Sequence, residues 1–337
     1  MRFVRLICHD PAKLEAIGSI VRRLRLWCAL AALPVSAALG QSAPLVDYHQ
    51  HLFSPAAALL VSTGAPMGPI TARDLIALLD SAGIHRALVL SVAYTWGNPS
   101  RSVTDEYAKV RAENDWTAQQ VALFPNRLRA FCSVNPLRDY ALRELARCAR
   151  DPELHFGLKL HFGNSDVNLD DPQQLERLQQ VFRAANGYRM SIVVHMHASI
   201  SKGRPYGRTE ADIFLNQLLP QARDVSVQIA HLAGAGGYDS TDDAALAVFV
   251  DAVAKHDPRT ERLYFDATGV VGPDLPPGQA DLIVQRIRQL GVQRVLYGSD
   301  AAVAGNSPQQ GWATFRRLPL TDAEFQTIAN NLTPYMR

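Results

Sequence analysis

From Leu45 to Asn331 the chain repeats one unit eight times: a short apolar run, a polar turn and a helical stretch. The runs occupy 45–52, 86–93, 128–135, 156–162, 190–197, 225–231, 262–268 and 293–300, each the length of one strand. RALVLSVA at 86–93 is apolar on both faces, which places it in a sheet covered on both sides, the mark of parallel pairing. Helices are predicted over 71–83, 104–124, 139–150, 172–186, 209–220, 242–256, 280–290 and 321–331. The first is the best signposted, with Thr71 as N-cap, Asp74 in capping-box position and Gly83 at its end. Ser54 to Pro69 reads as a loop. Eight strands alternating with eight helices over roughly 250 residues fit a closed (β/α)8 TIM barrel better than an open doubly wound sheet. With 47% hydrophobic and 20% charged residues the composition is that of a packed globular protein. No low-complexity linker divides residues 41–337, which are read as one domain.

Ahead of the repeats stands VRRLRLWCALAALPVSAALG, residues 21–40. It has a basic start, an apolar run of roughly 14 residues and small residues at Ala38 and Gly40, the three parts of a secretory signal. The run is short for a bilayer and interrupted by Pro34. Residues 1–40 are therefore expected to be a signal peptide cleaved after Gly40, with Val21 as the true start, and the mature chain to be periplasmic or secreted. An uncleaved membrane anchor is the alternative. The first forty residues carry six Lys/Arg against Asp10 and Glu15, leaving 28 basic and 30 acidic residues beyond them. That balance excludes a nucleic-acid binder working through a basic face. Cys8 and Cys28 fall in the leader. Cys132 lies early in a strand and Cys148 late in the following helix, and because such layers stand well apart, two buried thiols are expected rather than a bridge.

The chemistry of a barrel sits at the carboxyl ends of its strands. In LVDYHQHL, residues 45–52, His49 and His51 are two apart and face one way, as Asp47 does, so together they can grip a divalent ion. Lys159 and His161 end the fourth strand, His195 and His197 the fifth, His231 the sixth, Asp266 and Thr268 the seventh and Asp300 the eighth. Six of the ten histidines thus fall at one end of the expected barrel. Asp266 reads as a structural hydrogen-bonding residue and Asp300 as a functional one. His161 and His197 are candidates for contact with substrate. The loop after the fifth strand adds Lys202, Arg204 and Arg208, whose charges suit a carboxylate.

DYHQH, GLKLH, VVH, IAHLAG and LYGSD, in that order, resemble the amidohydrolase superfamily, and within it the amidohydrolase-related group of metal-dependent hydrolases and nonoxidative decarboxylases. The resemblance runs from about Val46 to Asn331. It implies that His49, His51, His195 and Asp300 hold one divalent metal, zinc with manganese as the alternative. It also implies that His231 polarises substrate or shuttles a proton, and that Lys159 is an electrostatic or substrate-facing group in catalysis. Asp300 would be the general base. The expected reaction is hydrolysis of an amide, lactone or ester in a small molecule; decarboxylation of a small carboxylic acid on the same residues is the alternative.

Overall fold

The computed structural model describes residues 43–62, 67–198, 204–272, 274–301 and 305–337. The expected leader and Lys202 lie outside them. Eight parallel strands follow one another around a single sheet: β1 Val46–Gln50, β2 Arg86–Leu90, β3 Leu128–Ser133, β4 Gly157–His161, β5 Ser191–His195, β6 Val227–Ile229, β7 Leu263–Asp266 and β8 Val295–Leu296. Backbone hydrogen bonds from Tyr48 N to Tyr297 O (2.9 Å) and from Asp300 N to His49 O (2.9 Å) join the last strand to the first, giving the (β/α)8 barrel. Among the described residues no helix is long and apolar enough to cross a membrane.

The apolar runs divide into two cores, as a sheet covered on both faces requires. Outward-facing strand residues such as Leu158, Ile192 and Phe265 pack on the helices, while Tyr48, Leu88, Leu90, Phe131, Val193 and Leu296 fill the barrel itself. The amino-terminal end is plugged by the turn Pro334–Met336, which inserts Tyr335 and Met336 into that inner core. Arg86, the first residue of β2, and Arg129, the second of β3, hold the plug by donating to the carbonyls of Met336 and Tyr335 (2.5 Å each).

The strands stop short of their apolar runs, most of all β8. The chain there passes through Gly298, where a Cβ would come within 2.2 Å of Thr268 Oγ1 and 2.8 Å of His49 Cβ, and then through Asp300 at φ 50°. Helix Ala72–Ala82 has the Thr71–Asp74 capping box and a left-handed Gly83. The stretch expected to be a loop contains a helix, Pro55–Val61, started by Ser54 as N-cap and Pro55. The helix expected over 209–220 is regular only at Arg208–Ile213. It widens to a π turn at Phe214–Leu218 and ends in a 3-10 turn, Pro220 having no N–H to donate.

Cys132 and Cys148 form a disulfide, Cα to Cα 6.1 Å, which corrects the expectation of two thiols. Spacing between layers describes their axes; two side chains aimed at each other across the gap close it. Cys132 points out of β3 and Cys148 sits on the inner side of helix Ala141–Cys148, both fully buried.

Candidate metal centre

β1 is irregular where it matters. Its register on β2 slips between Asp47 and Gln50, a bulge that turns His49 inward immediately after the inward-facing Tyr48. Asp47 therefore does not join the histidines. Its Oδ1 accepts from the backbone N of His49 (3.2 Å) and Ser299 (3.0 Å), and its Oδ2 from Gln50 Nε2 and Ser299 Oγ (2.7 Å each). With its acceptor sites spent, Asp47 fastens the β1–β8 seam. Burial pushes its carboxyl up to about 6 against those hydrogen bonds.

His49, His51 and Asp300 converge, one ligand atom of each lying within 4.8 Å of the others. Carbonyl oxygens and ionised carboxylates only accept, which fixes the tautomers of both rings. His51 Nδ1 donates to Leu90 O (2.7 Å) and His49 Nδ1 to Asp266 Oδ2 (3.1 Å), so in both neutral rings Nε2 keeps its lone pair. His51 Nε2 stands 3.8 Å from Asp300 Oδ1. His231, at φ 55°, donates Nδ1–H to Thr268 O (2.9 Å) and likewise leaves Nε2 unprotonated; its ring is 4.8 Å from His49 and 4.9 Å from His195. His195 lies beside this group without sharing its 4.8 Å radius, its ring stacked on His161 at 4.0 Å.

Burial is the first cause that keeps these imidazoles uncharged, with neighbouring positive groups, Lys159 among them, the second. His49 is lowered to about 3, and His51, His161 and His195 lie well below the ordinary histidine value. His231 is lowered as well, by burial, with Asp266 pulling the other way. Lys159, 1% exposed, places Nζ 3.4 Å from His49 Nε2. Burial pushes its ammonium down, opposed by Asp266 and Asp300. Burial pushes the Asp300 carboxyl up, opposed by Lys159. Asp266 behaves differently: burial alone would raise it, but His49 and His231 beside it and the hydrogen bonds it accepts hold it well below the carboxylate range.

The donor set fits a divalent cation. Neutral imidazole nitrogens with one carboxylate suit zinc and manganese. Asp300 Oδ1 and His195 Nε2 are buried without any hydrogen-bond partner, so their lone pairs are uncommitted. Lys159 Nζ lies against one of these nitrogens, His49 Nε2, at 3.4 Å.

The remaining candidates have partners of their own. His161 Nδ1 accepts from Asn164 N (3.1 Å), and the ring backs His195. His197 Nδ1 lies 3.2 Å from Asp242 Oδ1 and its ring stacks on Tyr206 at 3.9 Å. Arg204 pairs with Asp166 (2.9 Å) and with the carbonyls of Asp166 and Val167, bracing the loop after β4. Arg208 is exposed near Asp251, at 3.8 Å. Arg317 lines the cavity beside the centre, about 460 Å³ in volume, together with His231 and Asp300. Helix Pro308–Phe315, which carries Arg317 past its end, was not read from the sequence; its signal was Ser307, Pro308 and Gln310, a capping box.

No curated protein matches the chain by sequence. Among solved structures, a probable 2-pyrone-4,6-dicarboxylic acid hydrolase from Acinetobacter baumannii, with citric acid bound, superposes with a TM-score of 0.56 at 17% identity, covering 86% of this chain and 96% of that one. 5-Carboxyvanillate decarboxylase from Sphingomonas paucimobilis gives 0.58 at 15%, covering 86% and 97%. A dihydroxybenzoic acid decarboxylase from a Polaromonas species, with bound manganese and 2-nitroresorcinol, gives 0.58 at 16%, covering 86% and 95%. At these identities the likeness is one of fold. The sequence family described as Amidohydrolase matches residues 46–331, from the first strand to the last helix, and the chain belongs to it.

Proposed function

We propose that the protein is a metal-dependent hydrolase that cleaves an amide, lactone or ester in a small carboxylate. One observation carries the reading: His49, His51 and Asp300 present ligand atoms within 4.8 Å of one another, with Asp300 Oδ1 buried and unpartnered. His49, His51 and Asp300, with His195 adjacent, would hold one divalent ion, zinc or manganese. When bound, such an ion supplies Lewis acidity that lowers the pKa of water from 15.7 toward about 7. Asp300 would take the proton from the attacking water and return it to the leaving group. His231 has its Nδ1–H committed to Thr268 O, so Nε2 is the ring atom left to act as a proton acceptor. That makes it a shuttle for the second proton. Lys159 compensates negative charge between Asp266 and Asp300. Arg317, on the cavity wall, suits a carboxylate of the substrate.

The test is a screen of lactone, ester and amide carboxylates with metal-stripped and zinc- or manganese-reloaded protein. Turnover restored by metal, with one atom of oxygen from labelled water in the product, is expected. Undiminished turnover after stripping sinks the metal role; carbon dioxide release without oxygen incorporation replaces hydrolysis by decarboxylation.

Export is proposed as well. The two cysteines beyond the first forty residues are joined, and such bridges persist outside the reducing cytosol. Free thiols at Cys132 and Cys148 in protein taken from its native compartment overturn export.

A further inference from the structure

A column of polar side chains runs through the otherwise apolar inside of the barrel, from the plug at the amino-terminal end to the metal centre. Tyr335 OH donates to Gln228 Oε1 (2.5 Å), and Gln228 Nε2 donates to Asp266 Oδ2 (2.6 Å). The same Oδ2 accepts from His49 Nδ1 (3.1 Å), and Oδ1 accepts from the backbone N of His231 (3.0 Å) and of Thr268 (3.2 Å). Gln228 and Asp266 are both 0% exposed. A glutamine there, with Val193, Leu296 and Phe131 in the same interior, costs free energy unless both ends of its amide are paired, and here both are. The amide has one workable orientation, because turning it would set Oε1 against the Asp266 carboxylate.

We propose that Gln228 and Tyr335 are positioning residues for the metal centre, acting through Asp266. The carboxylate does two things at once. Its Oδ2 fixes the tautomer and plane of His49, leaving Nε2 for the ion. Its Oδ1 holds the backbone of His231 at the start of a left-handed run, His231, Leu232 and Ala233 at φ 55°, 49° and 70°. Residues with a Cβ adopt that conformation only where the surroundings enforce it. Rotation of Asp266 would release both histidines together. Gln228 is the donor that opposes this rotation, and Tyr335 fixes the donor. Tyr335 is fixed in turn by its edge-on rings with Tyr48 (6.1 Å) and Phe131 (5.3 Å) and by the arginine contacts of the plug. The final turn of the chain thereby reaches a site at the opposite end of the barrel.

The inference rests on the metal reading and is tested so that the two can fail separately. Metal-stripped full-length protein is titrated calorimetrically with manganese chloride, comparing wild type, Gln228→Leu and Tyr335→Phe. Outer partners of ligating histidines contribute about 10- to 100-fold in affinity. Gln228→Leu is expected to weaken manganese binding about tenfold and Tyr335→Phe, which loses one oxygen, a few-fold. Variants that melt at lower temperature yet bind manganese as the wild type does would show a structural role alone and overturn the proposal. Tyr335→Phe keeps the test alive should Gln228→Leu fail to fold. A wild type that takes up neither manganese nor zinc sinks the metal reading instead. The proposal is then decided by the proton resonance of His49 Nδ1–H in the metal-free protein. That resonance should move in Tyr335→Phe, and an unmoved one overturns it.

Discussion

Of the groups that, among the described residues, bring three metal-ligating side chains within 4.8 Å, two invite comparison: His49, His51 and Asp300 at the mouth, and Cys132, Glu144 and Cys148 between β3 and the helix that follows. By residue type the second is the better zinc site, since thiolates bind that ion strongly. Their remaining valence separates them. The two sulfurs are bonded to each other. Glu144 Oε1 accepts from Arg147 Nη2 (2.7 Å) and Asn114 Nδ2 (2.8 Å), and Oε2 from Arg147 Nε (2.9 Å). Nothing is left over for an ion. At the mouth, Nε2 of His51 and His195 and Oδ1 of Asp300 have no hydrogen bond that uses them. Convergence of ligand types is common to both clusters; unspent lone pairs are found in only one of them, the one proposed to hold the cation.

The comparison predicts opposite responses. The largest effect on stability belongs to the disulfide. A bridge closing a 16-residue separation constrains the unfolded chain by about 3 kcal/mol. Cys132→Ala with Cys148→Ala should lower the unfolding free energy by about that amount in denaturant titrations and leave manganese affinity unchanged. A parallel loss of metal would mean that the two clusters are coupled after all. Next comes Glu144→Gln. The amide keeps the shape but forfeits the two charge-assisted bonds with Arg147, which retains Asp115 at 2.5 Å and is part exposed. The expected cost is about 1–2 kcal/mol, again without change in metal binding. A larger loss, beyond about 3 kcal/mol, would show that the buried pair with Arg147 is the main support of this helix.

The same contrast explains what could be read from the sequence. The eight apolar runs and their helices were legible because burial on both faces imposes an unbroken apolar pattern. The histidines at successive strand ends were legible because period-two alternation and barrel polarity put them at one mouth. The fate of Asp47 was not, because a single bulge between Asp47 and Gln50 sends it to Ser299 while His49 turns inward. Nor was the reach of Arg204, which answers to Asp166 rather than to the cavity, or the place of Tyr335, far from Gln228 in the chain. Alternation and capping are local signals; long-range hydrogen bonds leave no local trace. The disulfide is not legible either, because the distance between layers does not measure the distance between two side chains aimed at each other.

The smallest effect on stability, and the sharpest break of the comparison, is His195→Leu. Leucine has nearly the volume of the imidazole and removes a buried nitrogen that bonds to nothing in the protein. Removing an unsatisfied polar atom for an apolar group of similar shape is close to neutral. The stacking on His161 at 4.0 Å is lost, and packing of the new side chain offsets it. Metal-free His195→Leu should therefore unfold within about 1 kcal/mol of the wild type. Added cation distinguishes them. A ligand at one hundred times its dissociation constant stabilises the native state by about 2.7 kcal/mol, and the wild type should gain that much from manganese while the variant gains far less. Had His195 belonged to a saturated cluster like that of Glu144, the order would reverse, with a large loss in the metal-free protein and an equal gain from manganese in both. Measuring the two proteins with and without the ion thus decides whether the spare nitrogen of His195 is a ligand or an unfilled place in the core.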